Sequence, residues 1–460
     1  METLPLPDPD HAVHYKATQV TSFRIARVLP LGWIVLAVAC HEASGLRSID
    51  CQAVAAPPEH DRSLSTRLVE DARDGCLDEF GLLTAALIAG GVGCQSELDE
   101  CCVRFNEIRA RSRGHAENTV CGLSIEGSQI ERVRALFRFM HREILTGDYQ
   151  VNATQLSRTL QSGSYNCVTT TILFNCLCEV QGLRATAVAT RGHVFSRIHG
   201  EEPVDIQTTS PDWFASLAES DQDLPQIQGG SKMRWRSGRE INAVQLIGKI
   251  YYNRAVAELT QNHFAEAVDS LELSLELDPE DPSAHQNLLA ALNNWSLHEC
   301  HDGNFGRAAE LVEQGVSIGP DYAPLRVNDL HIHQKWIVSL CEQDRYEAAL
   351  RLLERGYARR PETELFDHGR FAVYGLWAES LFRQGRTDSA WELLADARRR
   401  FSDRSGWLPY EANAIDSAAQ EVVRHRDLRQ AEALLKRGLE LQPTNGTLQQ
   451  RLQDLAQGDS

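Results

Sequence analysis

Five alanines, Ala267, Ala308, Ala349, Ala390 and Ala431, stand 41 residues apart in all four intervals. So regular a period restricts the fold more than any other feature of the chain, because self-similarity at this spacing marks a repeat architecture. Four residues after each alanine comes Leu271, Val312, Leu353, Leu394 or Leu435. Seven after comes Ser274, Gly315, Gly356, Ala397 or Gly438. Positions i, i+4 and i+7 share one helix face. Each repeat therefore carries a helix whose small residues let a second helix approach closely. Twelve residues after the alanine comes Pro279, Pro320, Pro361, Ser402 or Pro443, and proline cannot continue a helix. A single hairpin cannot bury its apolar face, so stacking builds the core and leaves a concave surface.

These segments, from FAEAVDSLELSLELDP to LRQAEALLKRGLELQP, resemble the tetratricopeptide repeat, and the resemblance covers residues 246–460. The usual repeat has about 34 residues. Seven more make about two helical turns, so the helices or their connections must be extended. The resemblance implies an all-α solenoid that holds a peptide or helix of a protein partner. His331-x-His333 puts two imidazoles on different faces. His298 and His301, beside Cys300, lack a third ligand of matching spacing, so no metal site is expected.

A chain of 460 residues is too long for one hydrophobic core. With 42% hydrophobic and 24% charged residues it is globular. Its net charge of −18 repels phosphate backbones and argues against nucleic acid. There is no Gly-rich phosphate loop, and no cofactor is expected. None of the 12 cysteines forms a CxxC pair, which removes the usual zinc spacing. Cys101-Cys102 and Cys176-x-Cys178 are candidates for oxidation outside the cell, or small buried thiols.

Residues 1–40 read as an address. Val28 to Cys40 is an apolar run of 13 residues led by Lys16, Arg24 and Arg27. A membrane-spanning helix needs about 20 residues, whereas this length suits a signal-peptide core. The run ends in Ala37-Val38-Ala39-Cys40, which resembles a bacterial lipoprotein box, in which the cysteine is lipidated. An uncleaved anchor is the alternative. Either form implies export, attachment to a membrane through the N-terminus, and the bulk of the chain outside the cytoplasm. Residues 41–75 then read as linker, 76–215 as a separate domain, and 216–245 as a second linker.

In the 76–215 domain, Phe80–Ile88, Glu97–Ile108 and Ile130–Ile144 have helical patterns. From Val168 the residues are nearly all apolar, as in a helix buried on all sides. Strands are expected at 185–190, 193–198 and 204–209, giving an α+β domain. Cys167 opens the buried helix, with Ser164 and Asn166 as candidate caps. A thiol at a helix N-terminus has its thiolate favoured by exposed N–H groups. A thiolate nucleophile needs a base, and the base an orienting partner. His193 begins the second strand. Asp205 and Gln207, on one face of the third, are the candidate orienting groups.

The motifs Asn166-Cys167, Gly192-His193-Val194-Phe195 and Asp205-Ile206-Gln207-Thr208-Thr209 resemble the transglutaminase-like superfamily of papain-type cysteine enzymes. The nearest type is the bacterial branch in which such a domain precedes tetratricopeptide repeats. The resemblance implies that Cys167 is the nucleophile, His193 the base, and Gln207 or Asp205 the orienting group. Gln207 stands where the family normally has an acid, and its amide can accept from imidazole but cannot balance its charge. Two functions follow as expectations: a thiol enzyme acting on peptide or protein amide bonds by hydrolysis or acyl transfer, or a catalytically silent scaffold working through its repeats. If the lipoprotein box is real, Cys40→Ser abolishes lipid incorporation and moves the protein out of the membrane fraction. Full-length protein in the cytosolic fraction would count against export.

Overall fold

The structure, a computed structural model, describes residues 63–119, 125–201, 203–214, 238–361, 363–401 and 405–457. The apolar run and Cys40 lie outside the described residues. Among those described, no helix is long and apolar enough to cross a membrane. The chain divides into two compact units, Met1–His285 and Gln286–Ser460.

In the first unit, α1 (Leu64–Asp71), α2 (Leu82–Ala89), α3 (Gln95–Thr119), α4 (Ile125–Glu143), α5 (Leu156–Ser162) and α6 (Cys167–Val180) precede an antiparallel sheet. Its strands are β1 (Ala185–Thr190), β2 (His193–Ile198), β3 (Val204–Ile206) and β4 (Arg239–Ile241), in the order β3-β2-β1-β4. Every residue of α6 from Val168 to Cys178 is buried, as its apolar sequence requires. The helix packs on β1 and β2. Those strands pair from Thr190↔His193 to Ala185↔Ile198. Gly192 takes φ +80° in the turn between them, a left-handed conformation that costs glycine nothing.

Three features differ from the sequence reading. The third strand stops at Ile206 instead of reaching Thr209, because the chain turns there, with Ser210 N–H donating to the Gln207 carbonyl. Helix α1 and strand β4 lie in stretches read as linkers. Leu64, Leu68 and Ile241 are buried, but such short elements carry too few residues to show a period. The first repeat hairpin, α7 (Ala243–Thr260) and α8 (Phe264–Leu277), joins the core of the first unit through Val244, Ile247, Ile250, Tyr251 and Leu277.

The repeats continue with α9 (Pro282–His301), α10 (Phe305–Ile318), α11 (Ala323–Glu342), α12 (Tyr346–Arg359), α13 (Glu364–Arg383) and α14 (Thr387–Arg400). After a 3-10 turn at Ser405–Trp407 come α15 (Leu408–Arg424), α16 (Leu428–Leu441) and α17 (Gly446–Gln457). The second helix of each hairpin has 14 residues. The first helices α9, α11 and α13 have 20. The additional two turns therefore lie in the first helix and not in the connections.

All five period-setting alanines are fully buried. At Gly315, Gly356 and Gly438 the small residue seven positions later receives a large side chain from the helix that follows. A Cβ on Gly315 would meet Leu325 at 2.5 Å, and one on Gly356 would meet Phe366 at 2.3 Å. Leu325, Phe366, Trp407 and Leu448 occupy this register, and each is at most 1% exposed. The turn inside each hairpin is equally regular. Asn262, Gly303, Asp344, Gly385 and Arg426 all have positive φ. The N–H of the next residue bonds back five positions, as in His263 to Glu258 and Arg345 to Leu340. This is the Schellman closure of a helix C-terminus. At Arg426 the left-handed backbone costs about 1–2 kcal/mol, so packing overrides the local preference.

Gly356→Leu should overpack the contact with Phe366 and cost about 1–3 kcal/mol or more, read as a lower urea midpoint. The same change at exposed Gly306, whose added Cβ meets nothing within 4 Å, should leave the midpoint nearly unchanged.

Candidate functional site

Asn166 closes the N-terminus of α6. Its side-chain oxygen accepts from the N–H groups of Val168 and Thr169, both at 3.0 Å, while its own N–H donates to Thr169 Oγ1 at 3.0 Å. This is a capping box. The Asn166 amide also donates to the Val151 carbonyl at 3.1 Å, so of the two candidate caps Asn166 does the capping. Cys167 is thereby fixed as the first helical residue.

Burial pushes the Cys167 thiol above its ordinary value. Backbone N–H groups of Val194, Cys167 itself and Val168 act in the opposite direction, without prevailing. The expectation of a thiolate at rest is thus reversed. The helix terminus supplies the predicted N–H groups, but removal from water costs the charged form more than they return. The Val194 N–H belongs to β2 and follows His193, so the strand that carries the histidine crosses the thiol end of α6.

His193 Nε2 lies 2.7 Å from Gln207 Oε1. Burial pushes the imidazole below its ordinary value, against the effect of the Gln207 contact. Asp205 is engaged elsewhere. Its carboxylate accepts from Arg197 Nε at 2.7 Å and Nη2 at 3.0 Å, and Arg197 also reaches Glu240 at 3.7 Å. Strand alternation alone would put Asp205 and Gln207 on one face, but β3 ends between them and frees Gln207 from that alternation. The structure pairs His193 with Gln207, sets the Val194 N–H beside the Cys167 thiol, and holds Asp205 apart, in an ion pair on the sheet.

Several neighbours were not legible in the sequence. Thr208 is fully buried, and its hydroxyl lies 2.9 Å from that of Thr170 and 3.1 Å from that of Thr171. Its carbonyl lies 3.0 Å from His141 Nε2. These bonds tie the turn that carries Gln207 to the helix that carries Cys167. His141 is pushed below the ordinary imidazole value by burial. The Tyr149 phenol is pushed up to about 12 by burial and then by Cys167 and Tyr165. The two tyrosine rings meet edge to face at 5.9 Å. Only the nearness of Tyr165 to Cys167 in the chain could have pointed to this pair.

Among the described residues no group of three or more His, Cys, Asp or Glu is placed to hold a metal ion. His298 and His301 both face Asp302, at 3.2 and 3.1 Å, and His333 faces Asp329 at 3.0 Å.

No known family and no curated protein matches the chain. Solved structures do. YrrB, described as a tetratricopeptide protein with an unusual peptide-binding site, is 15% identical, with 44% of this chain and 89% of that one covered and a TM-score of 0.17. Menin, in a structure described as revealing its binding site for the Mixed Lineage Leukemia protein, is 10% identical over 85% and 95%, with a TM-score of 0.32. The tetratricopeptide domain of P58(IPK) is 10% identical over 85% and 97%, at 0.18. Scores this low leave these likenesses without bearing on function.

The thiols should separate by environment. Cys94 is exposed, and its contact with Ser96 followed by the Glu97 N–H holds it below the ordinary value. Iodoacetamide should therefore alkylate Cys94 already at about pH 7, where Cys167 stays largely protonated and slow. Cys167 reactivity should climb only in the alkaline range, measured by peptide mass spectrometry across pH. Equal rates at neutral pH would contradict the upward shift of the Cys167 thiol.

Proposed function

We propose that this chain is an interaction protein whose helical repeats hold a polypeptide partner. The supporting observation is the division of labour within the repeat. The buried register is the same in all five hairpins, with Ala267, Ala308, Ala349, Ala390 and Ala431 all fully buried. The exposed positions are left free to suit a ligand. Photo-reactive residues at Val327 on α11 and Leu376 on α13, both exposed, should give saturable polypeptide adducts that excess unlabelled protein competes away. Absence of competed adducts at both positions would sink this reading.

One contact, His193 to Gln207 at 2.7 Å, favours a second reading, a transglutaminase-like thiol acyl transferase or hydrolase. With the amide oxygen as acceptor, Nε2 carries the proton and Nδ1 is the basic nitrogen. Because the thiol is neutral at rest, Nδ1 would take the Cys167 proton as sulfur attacks an amide carbonyl. The imidazolium would return it to the leaving amine, and water or a second amine would resolve the thioester. The Cys167 N–H would serve the developing oxyanion. Gln207 orients the ring but cannot offset its positive charge. Gln207→Glu should therefore raise thioester trapping from an activated peptide ester, and His193→Ala should abolish it. No trapped thioester in either the native chain or Gln207→Glu leaves the scaffold reading alone. Under both readings the N-terminal address would place the protein outside the cytoplasm on a membrane.

A further inference from the structure

The repeats place a tryptophan at one position of three successive first helices: Trp295, Trp336 and Trp377. Two of these rings are covered. Arg307 lies over Trp295 at 4.8 Å, and Tyr346 stacks on Trp377 at 6.0 Å with the planes 11° apart. In the middle repeat the residue at the Arg307 register is Ala348. A groove of about 630 Å³ opens there, lined by Trp336, Leu340, Ala348 and Leu352 together with Arg345, Arg351 and Arg355.

The charge in this groove is not required by the fold. At the register of Arg351 the neighbouring repeats carry Glu310 and Glu392, and at that of Arg355 they carry Gln314 and Asp396. The sign differs from that of both neighbouring repeats, in a chain whose net charge is −18, and at the Arg355 register it returns only as Arg437 in the fifth repeat, where that side chain lies over Trp391. Arg351 and Arg355 are exposed. The carboxylate among the lining residues, Glu354, faces Arg400 at 3.8 Å, so it does little to neutralise the three arginines. Trp336 is half-buried, and guanidinium groups beside such an indole favour carboxylates flanking a large apolar side chain.

Resting on the scaffold reading, we infer that this groove is the docking site for an acidic segment of a partner protein, with an aromatic or leucine side chain seated on Trp336 and its acids on Arg345, Arg351 and Arg355. Salt should weaken the complex, since the arginines are exposed.

The test uses the full chain and a fluorescein-labelled glutamate-rich peptide with a central phenylalanine, followed by anisotropy. A peptide with lysine in place of glutamate serves as control. The native chain should prefer the glutamate peptide. Arg351→Glu with Arg355→Glu should weaken binding by about tenfold or more, with the thermal melt unchanged. Ala348→Arg should also weaken it, by covering Trp336 as Arg307 covers Trp295. Equal binding of both peptides overturns the inference. So does unchanged affinity in both variants; if competed adducts at Val327 and Leu376 persist, the scaffold reading survives that failure. A native dimer that the double variant converts to monomer in sedimentation would make the occupant a second copy, which also overturns it.

Discussion

Phe366 rests on the bare backbone of Gly356, and the same fit of a large side chain into a small-residue gap recurs at Leu325 on Gly315 and Leu448 on Gly438. This contact sets the spacing of the second unit. Fully burying such a side chain contributes about 1.5–3 kcal/mol, and both a cavity and an excess methyl cost comparable amounts. The period is therefore held from both sides. It also explains why the first helix can be longer than usual without breaking the stack. Seven residues are nearly two whole turns, so lengthening by that amount returns the buried face almost to its starting direction.

The sequence carried the parts of the fold that repeat or alternate. Strands β1 and β2 were legible to the residue, because alternation and a Gly turn mark both ends. The hairpins were legible because small residues recur on one helix face. What it did not carry was whatever covers a face. The pattern of α7 and α8 identifies a hairpin but cannot say that Ile247 and Tyr251 face the cysteine unit's core. Strand β4 is three residues long, too short for a period to show.

The site divides in the same way. Cys167 at a helix start and His193 at a strand start follow from local signals, the cap and the turn. The choice between Gln207 and Asp205 depends on where β3 ends, which the turn at Ser210 decides. The protonation of the thiol depends on how much water the fold removes, which no local motif encodes. The buried hydroxyls of Thr170, Thr171 and Thr208 are similarly silent in the sequence, although they lock the Gln207 turn to α6.

Burial of Cys167 has a consequence for the chemistry of damage. Oxidation to sulfenic acid proceeds through the thiolate and follows exposure. Cys167, Cys176 and Cys178 are all pushed up by removal from water, and Cys176 and Cys178, which are buried, present peroxide with a protonated, shielded sulfur. Cys94 presents the opposite, open to solvent and biased toward thiolate by Ser96. Of the nine described cysteines, all free thiols, Cys76 and Cys94 are exposed, and these two surface sulfurs ahead of α3 meet an oxidant before the buried pair on α6.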